Sequence, residues 1–238
     1  VNLLENYLRE INPEEDEVRV FLCELLIKIS KFNEAIENIG RIKNGLIAEA
    51  YFLLGLSYYG LKNFPIAKIN FEEFLRLNEK AEFIIETYIY LANIAMAMSN
   101  TNEALNIIEK IKELGQDNIE MWFTAAKVYF MKNMFYHAGE SIKKALKLNS
   151  TDPKLIYWGA KIDFQIGELK EAESKINLVH NLTEPSSETY TLLGQIYLAQ
   201  NKTDEALVSF NNALLLNSNN QVAKNNKERL SSNANLWN

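Results

Sequence analysis

The side chains with the widest chemical range in this chain are two histidines, one cysteine and a few adjacent carboxylates, and their spacing decides what they can do. His137 and His180 lie far apart, and neither has a cysteine, a second histidine or a carboxylate pair at ligand spacing, so no metal site is expected. The pairs Glu14–Glu15 and Glu72–Glu73 sit among other charges and read as solvated surface. Cys23 is the single cysteine, so it closes no internal disulfide; among apolar neighbours it is expected to be a packed thiol. Glycine-rich phosphate loops, nucleophile elbows and zinc-protease patterns do not occur. Asn149, Asn181 and Asn201 open glycosylation triplets, which in so asparagine-rich a chain are expected by chance. No catalytic residue, metal or cofactor is therefore expected, and function has to rest on binding.

Binding needs surface, and here the surface is set by a repeat. Ala35, Ala67, Ala104, Ala138, Ala172 and Ala206 recur at intervals of 32, 37, 34, 34 and 34 residues. A period near 34 marks stacked helix–turn–helix units, each burying its apolar face against the next. Other residues fall into register with the alanines. The second unit reads Tyr51, Leu54, Gly55, Tyr58, Ala67, Phe71; the last reads Tyr190, Leu193, Gly194, Tyr197, Ala206, Phe210. The units between keep the phase with Ala92, Ala126 and Ala160 in place of the glycines, and the fifth has Asp163 where tyrosine is usual. Two antiparallel helices about 8–10 Å apart need small residues where they touch, and these positions supply them.

This pattern closely resembles the tetratricopeptide repeat (TPR) over roughly residues 16–220. The resemblance implies an all-α, right-handed superhelical solenoid of six TPR units, at 16–47, 48–81, 85–118, 119–152, 153–186 and 187–220. Residues 1–15 are then expected to be the second helix of a preceding, truncated unit, its Leu3, Leu4, Tyr7, Leu8 and Ile11 on one face. Residues 221–238 are expected to be a polar capping helix with a mobile tail from Ser231, in which Trp237 docks locally. With 47% hydrophobic residues and four prolines, one continuous folded unit is expected. The 37-residue interval suggests an insertion around Glu82–Ile84 that lengthens the first helix of the third unit, and the 32-residue interval a turn shortened at Gly40 and Gly45.

The resemblance also implies an inner groove built by the first helix of each pair. By register its residues are Phe52 and Leu56; Ile89 and Asn93; Phe123 and Lys127; Tyr157 and Lys161; and Thr191 and Gln195. The first unit contributes Val20, Glu24 and Ile27. Spacing of i, i+4, i+7 puts each set on one helical face. Phe52, Phe123 and Tyr157 are expected to contact a partner, and Tyr59, Phe130 and Phe164 to be partly core. The expected function is a non-catalytic scaffold or adaptor that captures an apolar or amphipathic segment of a partner protein. Its competitors are a subunit that stacks through the solenoid ends and the recognition arm of a larger enzyme or regulator.

Composition narrows the partner. A net charge of −6 and a mainly apolar inner row do not suit nucleic acid. The Lys, Arg and Asn cluster of chaperone-tail clamps is not reproduced. No stretch approaches the length and apolarity of a membrane-spanning helix. A soluble, cytoplasmic chain is favoured over an exported one, although the first residue is Val1 and an upstream segment is expected to have been removed. Oligomeric state and partner identity are not encoded in any of these features.

Overall fold

A computed structural model describes residues 1–43, 46–77, 83–115 and 117–234, and among them every regular element is a helix. The chain divides into two compact units, residues 1–116 and 117–238, where the sequence suggested one. In the first unit, α1 (Asn2–Glu10) precedes three antiparallel pairs: α2 (Asp16–Lys28) with α3 (Phe32–Ile39), α4 (Ile47–Gly60) with α5 (Phe64–Leu77), and α6 (Ile84–Ala97) with α7 (Thr101–Glu113). The second unit holds α8 (Ile119–Met131) with α9 (Phe135–Leu148), α10 (Pro153–Ile166) with α11 (Leu169–Leu182), α12 (Ser187–Ala199) with α13 (Thr203–Leu216), and then α14 (Gln221–Ala234).

The turn inside each pair is the same device six times. The residues Ser30, Lys62, Ser99, Asn133, Gly167 and Asn201 all have positive φ, and each lies five positions before a repeat alanine. This left-handed residue ends the first helix and lets the following amide reach back to it. Lys31 N donates to Leu26 O at 2.8 Å, Met134 N to Tyr129 O at 2.8 Å and Lys202 N to Tyr197 O at 2.9 Å. Such a Schellman closure satisfies carbonyls that a helix end would otherwise leave unpaired. The carbonyls of Lys31, Met134 and Lys202 then accept the amides of Ala35, Ala138 and Ala206, which starts the second helix. One residue thus closes one helix through its N–H and opens the next through its C=O, fixing the alanine beat.

Packing at the helix crossings is matched by volume. A Cβ on Gly55 would lie 2.5 Å from the Phe71 ring, and one on Gly194 2.6 Å from the Phe210 ring. Both rings are fully buried. Where the first helix carries Ala92, Ala126 or Ala160, the residue sixteen positions on is Ile108, Ile142 or Ile176, and all are buried. Cys23 and Ile39 share one buried cluster in the first pair. Glycine faces phenylalanine and alanine faces isoleucine, so the helices keep their approach while the side chains change. Asp163 has a different solution: it is buried and forms an ion pair with Lys175 of α11, tying the two helices of its pair together.

Several expectations change. Helix α6 has 14 residues, as α4 has, so the long interval does not extend it; the extra positions precede Ile84, and Glu82 lies outside the described residues. The short interval arises because α3 ends after 8 residues; its C-terminal Gly40 has ordinary helical dihedrals, and Gly45 lies outside the described residues. On α1, Leu8 is buried and Leu4 and Tyr7 pack on the first core, while Leu3 and Ile11 face solvent. Helix α14 runs through Ser231 to Ala234, so the start of the expected mobile tail is helical; Trp237 lies outside the described residues. Ala223 and Leu230 join the cluster around Phe210, which covers the last pair with an otherwise polar helix.

Candidate functional site

The first helices of successive pairs line a cavity in each unit. In the first unit it measures about 320 Å³ and is walled by Val20, Glu24 and Ile27 of α2, Glu49, Phe52 and Leu56 of α4, and Phe83 and Glu86 at the start of α6. Its floor is an aromatic stack: the Phe52 ring lies 5.1 Å from Phe83 with an interplanar angle of 24°, and 5.2 Å from Phe74. Phe83 holds its position in a left-handed conformation, φ 62°, unusual for a bulky residue. The rim is acidic. Glu86 is in contact with solvent, yet the protein around its carboxyl desolvates it and raises its pKa above the usual carboxylate range. On α6, Ile89 is buried and Asn93 donates its side-chain amide to Ile89 O at 2.9 Å, a bond within its own helix.

In the second unit the cavity measures about 410 Å³ and is bounded by Phe130 of α8, Tyr157, Lys161 and Phe164 of α10, and Thr191 and Gln195 of α12. Trp158 stands between two rings, edge-on to Phe123 at 5.8 Å and to Phe130 at 5.6 Å. Lysines cover these aromatics. Lys127 and Lys154 lie 4.8 and 4.6 Å from the Phe123 centroid, and Lys161 lies 4.9 Å from Phe130 and 4.7 Å from Trp158. Desolvation lowers the pKa of Lys127 and of Lys161, and burial raises that of Tyr157. The Thr191 hydroxyl is already used: it donates to Ser187 O at 2.7 Å and accepts from Asn220 Nδ2 at 2.8 Å, fastening α12 to the start of α14.

The ten expected groove residues therefore sort by row. Leu56, Asn93, Lys127, Tyr157, Lys161 and Gln195 are half-buried at the surface. Phe52, Ile89, Phe123 and Thr191 are buried, Phe123 to 1% exposure. The first-row side chain on most of these helices packs among neighbouring rings and helices and is closed off there. Tyr59, Phe130 and Phe164, expected to be partly core, are half-buried and pack on neighbouring rings or core residues. The register missed Glu49, Glu86 and Lys154, each three positions before a first-row residue and so on the same face. It also missed Trp158, which flanks the row, and Phe83, which precedes its helix. The i−3 spacing was a readable signal; the turn that places Phe83 was not.

Among the described residues no group of three or more His, Cys, Asp or Glu side chains converges as a metal site, and no helix is long and apolar enough to cross a membrane. Cys23 is fully buried, with its thiol 3.8 Å from Ala35 O and its pKa pushed up to about 12 by burial.

The helix pairs, their common turn and their matched crossings define an all-α repeat solenoid. Residues 187–220 and 48–80 each match a model of the tetratricopeptide repeat, and the chain is a tetratricopeptide repeat protein. Proteins built from such repeats are generally scaffolds for protein–protein interaction and bind protein partners. No curated protein sequence matches the chain. Among solved structures it is similar to the APC/C hetero-tetramer Cut9–Hcn1, with a TM-score of 0.81 and 17% identity over 96% of this chain and 45% of that one. The chain thus spans less than half the length of that relative. It is similar to pilF of Pseudomonas aeruginosa, with a TM-score of 0.76 and 12% identity over 90% of this chain and 97% of that one. It is also similar to YrrB, described as a TPR protein with an unusual peptide-binding site, with a TM-score of 0.64 and 19% identity over 83% of this chain and 97% of that one. At these identities the likeness establishes the fold.

Proposed function

We propose that the chain is a non-catalytic scaffold that holds an apolar or amphipathic segment of a partner protein against the faces of its first helices. The observation that carries this reading is the wall of Phe130, Tyr157 and Phe164, half-exposed around a cavity of about 410 Å³ with Lys161 lying over aromatic rings. Apolar side chains of the guest cover the rings, and an acidic group meets Lys161 or Lys127. Gln195 offers an amide to the guest backbone without demanding a sequence. Fully burying one large apolar side chain contributes roughly 1.5–3 kcal/mol, so three or four anchors support about micromolar affinity after ordering costs. The peptide-binding site named for YrrB, on a similar fold, supports the same kind of role.

The test compares surface and core positions. A photoreactive group at Phe164 captures the partner; Lys161→Glu abolishes capture with little change in melting, and Tyr157→Ala abolishes it with a loss of stability, because its ring also packs on the core of its pair. Phe123→Ala lowers the melting temperature because its ring is buried. Undiminished capture by the Tyr157 and Lys161 variants would refute the proposed face.

A further inference from the structure

The described charged residues lining the cavity of α2, α4 and α6 are Glu24, Glu49 and Glu86, whereas the cavity of the second unit is lined by both Lys161 and Glu188. We propose that the face of the first unit docks a partner segment with an apolar core flanked by lysine or arginine, the apolar side chain lying over Phe52 and Phe83 and the cations meeting Glu24, Glu49 and Glu86. This deepens the reading that first-helix faces hold protein segments, and rests on it.

Three observations carry the choice of occupant. The cavity floor is a stack of phenylalanines with Val20, Ile27 and Leu56 beside it, which suits an apolar side chain and offers an anion nothing. Among the described residues, all the charge at its rim is of one sign. Among the described residues no lysine or arginine forms an ion pair with Glu24, Glu49 or Glu86, whereas Glu34, Glu37, Glu72 and Glu103 of the same unit each have one. Glu49 and Glu86 stand in the first turns of their helices, where the helix dipole favours a carboxylate. Glu24 is well inside α2 and has no such local reason to be acidic. Like charges around one apolar opening repel each other when it is empty, and a basic flank on the guest removes that repulsion.

The experiment titrates the full chain at low salt with three blocked peptides that share a Leu-Phe-Leu core and differ in their flanks: lysine, serine or glutamate. Methyl shifts of Leu53 and Leu56 report the site. The lysine-flanked peptide is expected to shift these methyls and to bind about tenfold more tightly than the serine-flanked one. Combining Glu24→Gln, Glu49→Gln and Glu86→Gln is expected to erase that advantage while serine-flanked binding persists. Equal binding of all three peptides at these methyls would overturn the basic occupant and leave the apolar docking face standing. No methyl shift with any peptide would overturn both. Methyl shifts that follow protein concentration alone would identify a second copy of the chain as the occupant and overturn the proposal.

Discussion

The crossing pairs make an unusual demand: a conservative change at one position should be harmful alone and harmless in company. Gly194→Ala places a methyl carbon 2.6 Å from Cε1 and 2.8 Å from Cδ1 of Phe210, a ring with no exposed surface and no room to rotate. Overpacking of this kind costs about 1–3 kcal/mol, offset by about 1 kcal/mol from replacing glycine inside a helix, for a net loss of roughly 1 kcal/mol. Phe210→Ile alone leaves a hole beside glycine and costs roughly 1–2 kcal/mol. Simple addition gives a double variant about 2–3 kcal/mol less stable. The double variant, however, carries the alanine–isoleucine pair already buried at Ala160 and Ile176, and is expected within about 1 kcal/mol of the native chain, a coupling of ~1–2 kcal/mol. Repeat arrays need not unfold in one step, so urea melts followed by circular dichroism should be joined by amide exchange across α12 and α13. Additivity to within about 0.5 kcal/mol would show that the two positions do not sense each other and would refute the volume-matching account.

The left-handed turn residues give a second expectation: Lys62→Gly should stabilise the first unit by about 0.5–1 kcal/mol, and Gly167→Ala should destabilise the second by about 1 kcal/mol, both read from urea midpoints. Cys23 should not react with a water-soluble disulfide reagent in the native chain at neutral pH and should react on unfolding, so the rate of thiol release measures opening of the first core. Desolvation holds the His180 pKa below its ordinary value, against Tyr190 and with Nε2 2.8 Å from Thr189 Oγ1. The unfolded chain therefore takes up its proton first as pH falls below about 6.5, and stability is lost in that direction. Melting temperatures from pH 7.5 to 5.5 should decline less in His180→Gln, and an unchanged slope would remove His180 as the cause.

The parts of the fold legible in the sequence are those where side-chain type and backbone geometry coincide. The alanines mark the crossings because nothing larger fits there, and Gly55 and Gly194 mark closest approach for the same reason. The turn was legible in half of the pairs although it repeats with the same spacing. Its left-handed position is filled by Ser30, Lys62, Ser99, Asn133, Gly167 and Asn201; the two asparagines and the glycine are types that favour the conformation, and Ser30, Lys62 and Ser99 are not. The candidate face was legible by row and not by depth. Helical periodicity says that Phe123 and Lys127 share a face; it does not say that Trp158 and two lysines close over Phe123 while Phe130, touched by Trp158 and Lys161, stays half-buried. Exposure depends on the neighbouring helix, which periodicity within one helix does not contain.

That division explains how one repeat geometry can present faces of different charge. The turn residue, the alanine and the matched pair at the crossing are constrained by contact; the position four residues into each face is not. It is Glu24, Leu56, Asn93, Lys127, Lys161 and Gln195 in successive units. Where that position is Lys161, its ammonium lies over Phe130 and Trp158 and is partly stripped of water in the free protein, as its lowered pKa records. Cation–π contact returns about 0.5–1 kcal/mol of that loss. An incoming carboxylate meets a cation already partly dehydrated, in surroundings less polarisable than water, so the pair gains more than one formed at an open surface. Glu86 shares part of this situation: it is exposed, yet the protein around its carboxyl desolvates it and raises its pKa, and no described lysine or arginine pairs with it. In the proposed reading, then, part of the charge that selects a partner is carried in both units by a side chain the fold has already partly desolvated, Lys161 in the second and Glu86 in the first.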